Sequence, residues 1–177
     1  AKVPSTPDDS SVGVMNGVER VCGNAGIDPS EISQVMHGTT VATNTVLTGS
    51  GSKVGLVTTK GYKQVLQIAR SYVPGGLGGW VIFNKTDPLA PLECTIEAEE
   101  RVGARGDVVR KLDEADLEQK LRGLKKRQNI EALTISFINS FSNRDHEVKA
   151  RKVAQKVFPD IPISISSEII PEMQEYE

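Results

Sequence analysis

Short β-branched apolar segments alternate with segments of helical periodicity, and this alternation limits the possible folds more than any other feature. The runs Lys53–Thr58, "EALTISFI" and "IPISISS" each fit a buried strand. Between them, the segments that follow Asp113 and Asn143 carry apolar residues at helical spacing behind a capping side chain. Strands that alternate with helices predict an α/β fold with a mixed, mostly parallel sheet.

One antiparallel hairpin is expected within this fold. The run "CTIEAEERV" alternates apolar and acidic residues, "GARGD" is typical of a turn, and "VVRKL" fits the returning strand. In this interpretation Glu99, Glu100 and Arg101 form a solvated face, because surface charges usually remain in water. His146 is interpreted as support for the helix cap that begins at Asn143.

The N-terminal third has weaker signals. A helix is predicted near the N-terminus, with Thr6 as its cap, Pro7 at its first position and "GNAGID" as its end. A short buried strand is predicted at Gln34–Met36. The segment Ser71–Pro91 contains "VPGGLGGW" and lacks periodicity, which predicts a long loop. Trp80 in that loop is interpreted as a subunit-interface anchor, with a lid over an aromatic substrate as the alternative.

Composition excludes several functional classes. The chain has 177 residues, a net charge of −2 and two cysteines without a CxxC pair. Neither a nucleic-acid nor a membrane partner is expected from this charge balance, and the sequence contains no apolar run of membrane-spanning length. Two distant cysteines favour neither a zinc site nor a disulfide framework, so no metal-ligating residues are predicted. A cytoplasmic location is the expectation.

A cluster of small polar side chains follows the predicted strand at Gln34–Met36. Its members are His37, Gly38, Thr39, Thr40, Thr43 and Asn44. Hydroxyl groups, an amide and the free N–H groups of a helix that starts near Thr40 suit the oxygens of a phosphate or carboxylate. Gly38 would allow a ligand to come close, and His37 could donate to an oxyanion or transfer a proton near neutral pH. The alternative is purely structural, because Thr and Asn are common helix caps.

Two charged residues outside the cluster are further candidates for binding. Arg70 ends a predicted short helix, where it could pair with a carboxylate or phosphate. It could equally be present because cations are favoured at helix C-termini. Glu168 follows the last predicted strand at its carboxyl end, where ligands of parallel sheets bind.

Several motifs occur together in a recognisable order. They are "HGTTVATNTVL", "VGLVTTKGYKQVLQIAR", "EERV", "LDEADL", "SFINSFSNRDHE" and "PISISSEIIPEMQEYE". In this order they resemble the N-terminal domain of the hydantoinase A / 5-oxoprolinase / acetone (acetophenone) carboxylase family. The resemblance covers nearly the whole chain, and "HGTTVATN" followed by "LVTTKGY" is its most specific part.

The resemblance implies an actin-like ATPase fold of the sugar-kinase and heat-shock-protein type. It also implies ATP, with magnesium, and phosphorylation of an amide or enolate oxygen in a cyclic amide or ketone substrate. The segment "RSYVPGGLGGWVIFNKTDPLAPLE" departs from the hydantoinase pattern and is slightly nearer to the acetophenone-carboxylase branch. The alternative is a non-catalytic structural or interaction subunit that keeps the fold.

The resemblance also implies that residues 1–177 are one domain of a longer subunit. The glycine-rich phosphate loop of the family is expected upstream, and the catalytic remainder downstream. We therefore expect the missing strands to come from the rest of the same subunit or from further subunits, and the isolated piece to be inactive and prone to aggregate, since open sheet edges invite pairing.

Overall fold

The computed structural model describes residues 1–36, 38, 40–68 and 87–173. By its internal contacts the chain divides into a first unit, Ala1–Ala42, and a second unit, Thr43–Glu177.

Helix α1, Ser10–Ala25, is the main element of the first unit. Its N-cap is Asp9, whose carboxylate accepts the Ser11 amide at 2.9 Å. The prediction of Thr6 as the cap is therefore wrong. The Thr6 hydroxyl instead donates to the Asp9 carbonyl at 2.6 Å and accepts the Gly13 amide at 3.0 Å, so it supports the turn in front of the helix. The predicted end of the helix is confirmed, since Gly26 caps it at φ 67.

The segment that follows α1 contains one short turn. A 3₁₀ helix spans Pro29–Glu31, and the Asp28 carboxylate caps it by accepting the Ser30 amide at 2.8 Å. The predicted strand at Gln34–Met36 is wrong, because these residues are irregular and exposed. Val35 and Met36 are only two consecutive apolar residues, which is too little apolar surface to hold a strand against a core.

The second unit contains a four-stranded parallel sheet in the order β2-β1-β5-β6. Its strands are β1 Val54–Thr59, β2 Thr95–Ala98, β5 Ala132–Ser136 and β6 Ile163–Ile165. A 3₁₀ helix, Leu92–Cys94, leads into β2. The α/β class and the mostly parallel sheet are confirmed.

A separate antiparallel pair forms the predicted hairpin. Strands β3, Arg101–Val102, and β4, Val108–Arg110, pair across a turn in which Gly106 adopts φ 83. The run predicted as one strand, "CTIEAEERV", is thus divided into β2 of the parallel sheet and β3 of the hairpin. Glu99 and Glu100 form the junction between them.

The helices are α2 Val41–Thr48, α3 Val65–Ile68, α4 Glu114–Arg127, α5 Asp145–Val157 and α6 Ser166–Ile169. The division between the two units falls within α2. Asp113 caps α4 by accepting the Asp116 amide at 3.0 Å, as predicted. The N-cap position of α5 is Arg144 rather than the predicted Asn143, although the Asn143 side chain accepts the Asp145 amide at 3.0 Å and so supports the start of the helix.

The core of the second unit lies where α4 and α5 pack against the sheet and against each other. Leu117, Leu121 and Leu124 present one face of α4 and are fully buried. They share the core with the central strands, including Val57 and Ile135. This packing holds the strand ends in fixed positions, because close-packed cores tolerate little displacement.

Candidate functional site

The carboxyl ends of the four parallel strands lie at one edge of the sheet. Strands β1, β2, β5 and β6 end at Thr59, Ala98, Ser136 and Ile165. Ligands of such sheets bind in the crevice outside the carboxyl ends. The polar side chains just beyond these ends are therefore candidates for a ligand-binding or catalytic site.

A buried network links Thr59, Glu100 and His146, which are 0%, 1% and 3% exposed. The Thr59 hydroxyl donates to Glu100 Oε1 and accepts the Ile138 amide at 3.0 Å. His146 Nδ1 lies 2.8 Å from Glu100 Oε2. The network therefore ties the end of β1 to the β2–β3 junction and to the first turn of α5.

This network overturns two predictions. Glu100 does not belong to a solvated face, because both of its carboxylate oxygens are bonded in the interior. His146 does not act mainly in capping, because its ring pairs with Glu100. The chain bends at Glu99, whose side chain is half-buried, whereas Glu100 is buried.

A second buried carboxylate, Glu147, is fully enclosed beside this network. It accepts the Phe137 amide at 2.9 Å, the Ser166 hydroxyl at 2.7 Å and the Ser167 amide at 2.9 Å. These donors come from the residue after β5 and from the start of α6. Glu147 thereby fixes the carboxyl ends of β5 and β6 relative to α5, which is a positioning role.

The periodicity of the sequence could have identified the carboxylates of Glu100 and Glu147 as buried. Ile96, Ala98, Glu100 and Val102 share one parity in the strand-like run, and all four are buried. On α5, His146 and Glu147 lie four and three residues before the buried Ala150, on the same helical stripe. A carboxylate inside an apolar series indicates a buried, hydrogen-bonded group rather than a surface charge.

The threonine-rich segment has a different setting. Helix α2 begins at Val41, which confirms the predicted helix start, but irregular chain rather than a strand precedes it. Gly38, Thr40, Thr43 and Asn44 are exposed. His37 and Thr39 lie outside the described residues. The structure thus leaves the proposed binding role of this segment as a prediction.

Of the remaining predicted site residues, the structure describes Glu168. Arg70 and Trp80 lie outside the described residues. Glu168 is exposed and accepts Arg151 Nη1 at 2.5 Å. The hydrogen bond from Arg151, reinforced by its charge, holds the pKa of Glu168 below the usual value. Glu168 therefore takes part in a surface ion pair, and its role in ligand binding stays a prediction.

A groove runs along β2 and α4. Its volume is about 1000 Å³, and its walls mix cations such as Lys63 and Arg127 with anions such as Glu97 and Asp116. It lies alongside the edge strand rather than beyond the strand ends. Mixed charges and this position give it no specific chemistry.

Exposed hydrogen-bonding groups lie at the start of α2. Gly38 has open space around its Cα, and hydroxyl and amide side chains stand on the first turn of α2. Within the described ranges no group of three or more His, Cys, Asp or Glu side chains is placed to hold a metal ion. Among the same residues, no helix is long and apolar enough to cross a bilayer.

Comparison with known proteins decides the family. Residues 1–158 match the model of the hydantoinase/oxoprolinase N-terminal region. The chain belongs to this family. This hydantoinase/oxoprolinase-family chain is 36% identical to an uncharacterised protein of Methanocaldococcus jannaschii, over 99% of the chain and 25% of that protein. It is 32% identical to the acetophenone carboxylase gamma subunit of Aromatoleum aromaticum, over 100% of the chain and 26% of that subunit.

A solved structure extends this similarity to the fold. The crystal structure of the ATP-dependent caprolactamase from Pseudomonas jessenii matches the family chain with a TM-score of 0.83 and 29% identity. The match covers 99% of the chain and 26% of that structure. The chain therefore spans about a quarter of the length of the relatives it matches, and the predicted actin-like fold is consistent with the match.

Proposed function

We propose that this chain is part of an ATP-dependent enzyme that activates a small cyclic amide or ketone by phosphorylating its amide or enolate oxygen. The observation that carries the proposal is the family match over residues 1–158. Similarity to a carboxylase subunit and to an ATP-dependent caprolactamase supports it from two branches of chemistry. These branches share the activation of a poorly reactive carbonyl group.

The proposed division of labour follows from the residues. ATP, with the magnesium that normally accompanies it, would supply the phosphoryl group that makes the oxygen a leaving group or traps the enol. Gly38, Thr40, Thr43 and Asn44, with His37 and Thr39, would hold oxyanions of the nucleotide or substrate by hydrogen bonds. The buried Glu100 and Glu147 would keep the strand ends in place without touching the substrate.

The branch is proposed separately from the general chemistry. The glycine-rich segment before Asp87 and the 32% identity to the acetophenone carboxylase subunit slightly favour ketone carboxylation. Hydrolysis of a cyclic amide is the other branch, which the caprolactamase represents. In both cases the remainder of the subunit and further subunits would be partners.

The test is ATP turnover by the intact gene product with hydantoins, 5-oxoproline, caprolactam, and ketones with bicarbonate. Stimulation by one class identifies the branch. Thr43→Val should lower the stimulated rate by about tenfold or more, because it removes a hydroxyl donor to a charged group. Thr48→Val at the other end of α2 is the matched control and should leave the rate nearly unchanged. Absence of turnover with every substrate would favour the non-catalytic alternative.

A further inference from the structure

A second groove lies directly beyond the carboxyl end of β1, within the second unit. Its volume is about 520 Å³, and it is lined by Lys60, Tyr62, Glu100, Arg101, Val109 and Arg110. This volume falls in the range of small-molecule sites. We call it the basic groove. Its position is where parallel sheets bind their ligands, and the motifs discussed above assign it no role.

The charges of the basic groove leave a positive excess. Three cations, Lys60, Arg101 and Arg110, meet two carboxylates, Glu99 and Glu100. Both oxygens of Glu100 are engaged by Thr59 and His146. Glu99 is shared between Lys60 and Arg110, and the Lys60 hydrogen bond holds its pKa below the usual value.

Arg101 is the cation of the basic groove that is not neutralised. Its guanidinium lies over the Tyr62 ring, 5.1 Å from the ring centre. Within the described part of the chain, no carboxylate lies within ion-pair distance of it. Stacking on an aromatic face fixes the guanidinium plane and leaves its N–H fork available at the edge, which suits bidentate contact with an oxyanion.

We propose that the basic groove binds a small oxyanion, through the oxygens of a carboxylate or phosphoryl group held by Arg101 and flanked by Lys60 and Arg110. The exposed Val109 provides an apolar wall for the rest of the ligand. Tyr62 and Glu99 act as positioning residues for the cations. The proposal does not depend on the reaction proposed above, since the groove can be titrated without ATP.

The experiment is isothermal titration of the intact gene product with inorganic phosphate and, separately, with acetate and benzoate. Sodium chloride keeps the ionic strength constant, because screening alone would weaken any charged contact. We expect saturable binding of at least one anion. Tighter binding of phosphate would identify a phosphoryl ligand, and tighter binding of acetate or benzoate a carboxylate ligand.

Variants separate the basic groove from general surface charge. Arg101→Gln should weaken binding by about tenfold or more, and Arg101→Lys by less, because it keeps the charge but loses the fork. Arg122→Gln is the matched control, since Arg122 is an exposed arginine of α4 outside the basic groove, and it should bind normally. Should Arg101→Gln fail to fold, Lys60→Met replaces it, with an expected loss of about threefold or more.

Three results would overturn the proposal. One is the absence of saturable binding by any of the anions. Another is an equal loss of affinity in Arg122→Gln and Arg101→Gln. The third is unchanged affinity in folded Arg101→Gln or in Lys60→Met. None of these results bears on ATP turnover, so the two proposals fail separately.

Discussion

The threonine-rich segment and the carboxyl edge of the sheet use the same side-chain types in opposite settings. Each region contains one of the chain's two histidines, His37 and His146, together with hydroxyl groups. At the sheet edge the Thr59 hydroxyl and the His146 ring are buried and bonded to Glu100. Thr40 and Thr43, by contrast, are exposed. The comparison teaches that residue type alone does not predict burial, since the same hydroxyl side chain is enclosed in a network at the sheet edge and exposed in the threonine-rich segment.

The largest expected effect is on the catalytic rate, and it should distinguish substitution of His37 from substitution of His146. His37→Ala should lower the rate of the intact enzyme by about 10²–10⁴-fold, because general acid–base and oxyanion groups contribute that much. His146→Ala should instead lower thermal stability, because it leaves a buried carboxylate oxygen without its partner. Steady-state kinetics and thermal unfolding of both variants make the measurement. If His37→Ala retained the full rate, His37 would not take part in the mechanism. The proposed contrast between a functional His37 and a structural His146 would then be wrong.

The next effect concerns the buried carboxylate of α5. Glu147→Ala should lower the free energy of unfolding by about 3–5 kcal/mol, because two buried amides and one half-buried hydroxyl lose their acceptor. Hydrogen–deuterium exchange should show faster exchange of the Phe137 and Ser167 amides. Glu118→Ala is the control, since it removes only an exposed pair with Arg122 and should change stability by about 0.5 kcal/mol or less. Unchanged exchange in Glu147→Ala would contradict the positioning role.

The smallest effect concerns Glu168, which lies near the carboxyl edge of the sheet but is exposed to solvent. Because Arg151 holds the pKa of Glu168 below the usual value, Arg151→Gln should raise it towards that value. The pair's small stabilising contribution is present above the unfolded pKa and is lost as the pH falls through the folded pKa. An NMR titration of the Glu168 carboxyl measures the shift, with Lys152→Gln as the control. If the pKa of Glu168 were the same in Arg151→Gln, the ion pair with Arg151 would not account for this residue. That result would support Glu168 as a ligand-binding group.

Local signals were sufficient for most of the fold. Asp113 as a cap, the leucine stripe of α4 and Gly26 as a helix end each depend on residues a few positions apart. The hairpin of β3 and β4 likewise follows from one turn. These elements were predicted correctly because neighbouring residues determine them.

The incorrect predictions concern residues whose partners are distant in sequence. Glu100 is buried by Thr59 and His146, which lie 41 and 46 residues away. Local charge does not reveal such partners, although the alternation of buried residues along the strand-like run indicates that Glu100 faces the interior. The predicted strand at Gln34–Met36 failed for a related reason, since strand formation needs a partner that the local sequence does not supply. The roles predicted for the site residues stay predictions; these residues are His37, Gly38, Thr39, Thr40, Thr43, Asn44, Arg70 and Glu168.

The order β2-β1-β5-β6 also has a consequence for biosynthesis. Strand β1 is flanked on one side by β5, and the contact between Lys53 and Glu131 joins residues 78 positions apart. At a typical rate of about 5–20 residues per second, the ribosome needs roughly 4–16 s to make the intervening chain. During that time the nascent β1 has at least one side without its final neighbour, and both sides until β2 has been made. The charged side chains of α4, synthesised just before β5, emerge in the same interval and favour solubility of the unfinished sheet.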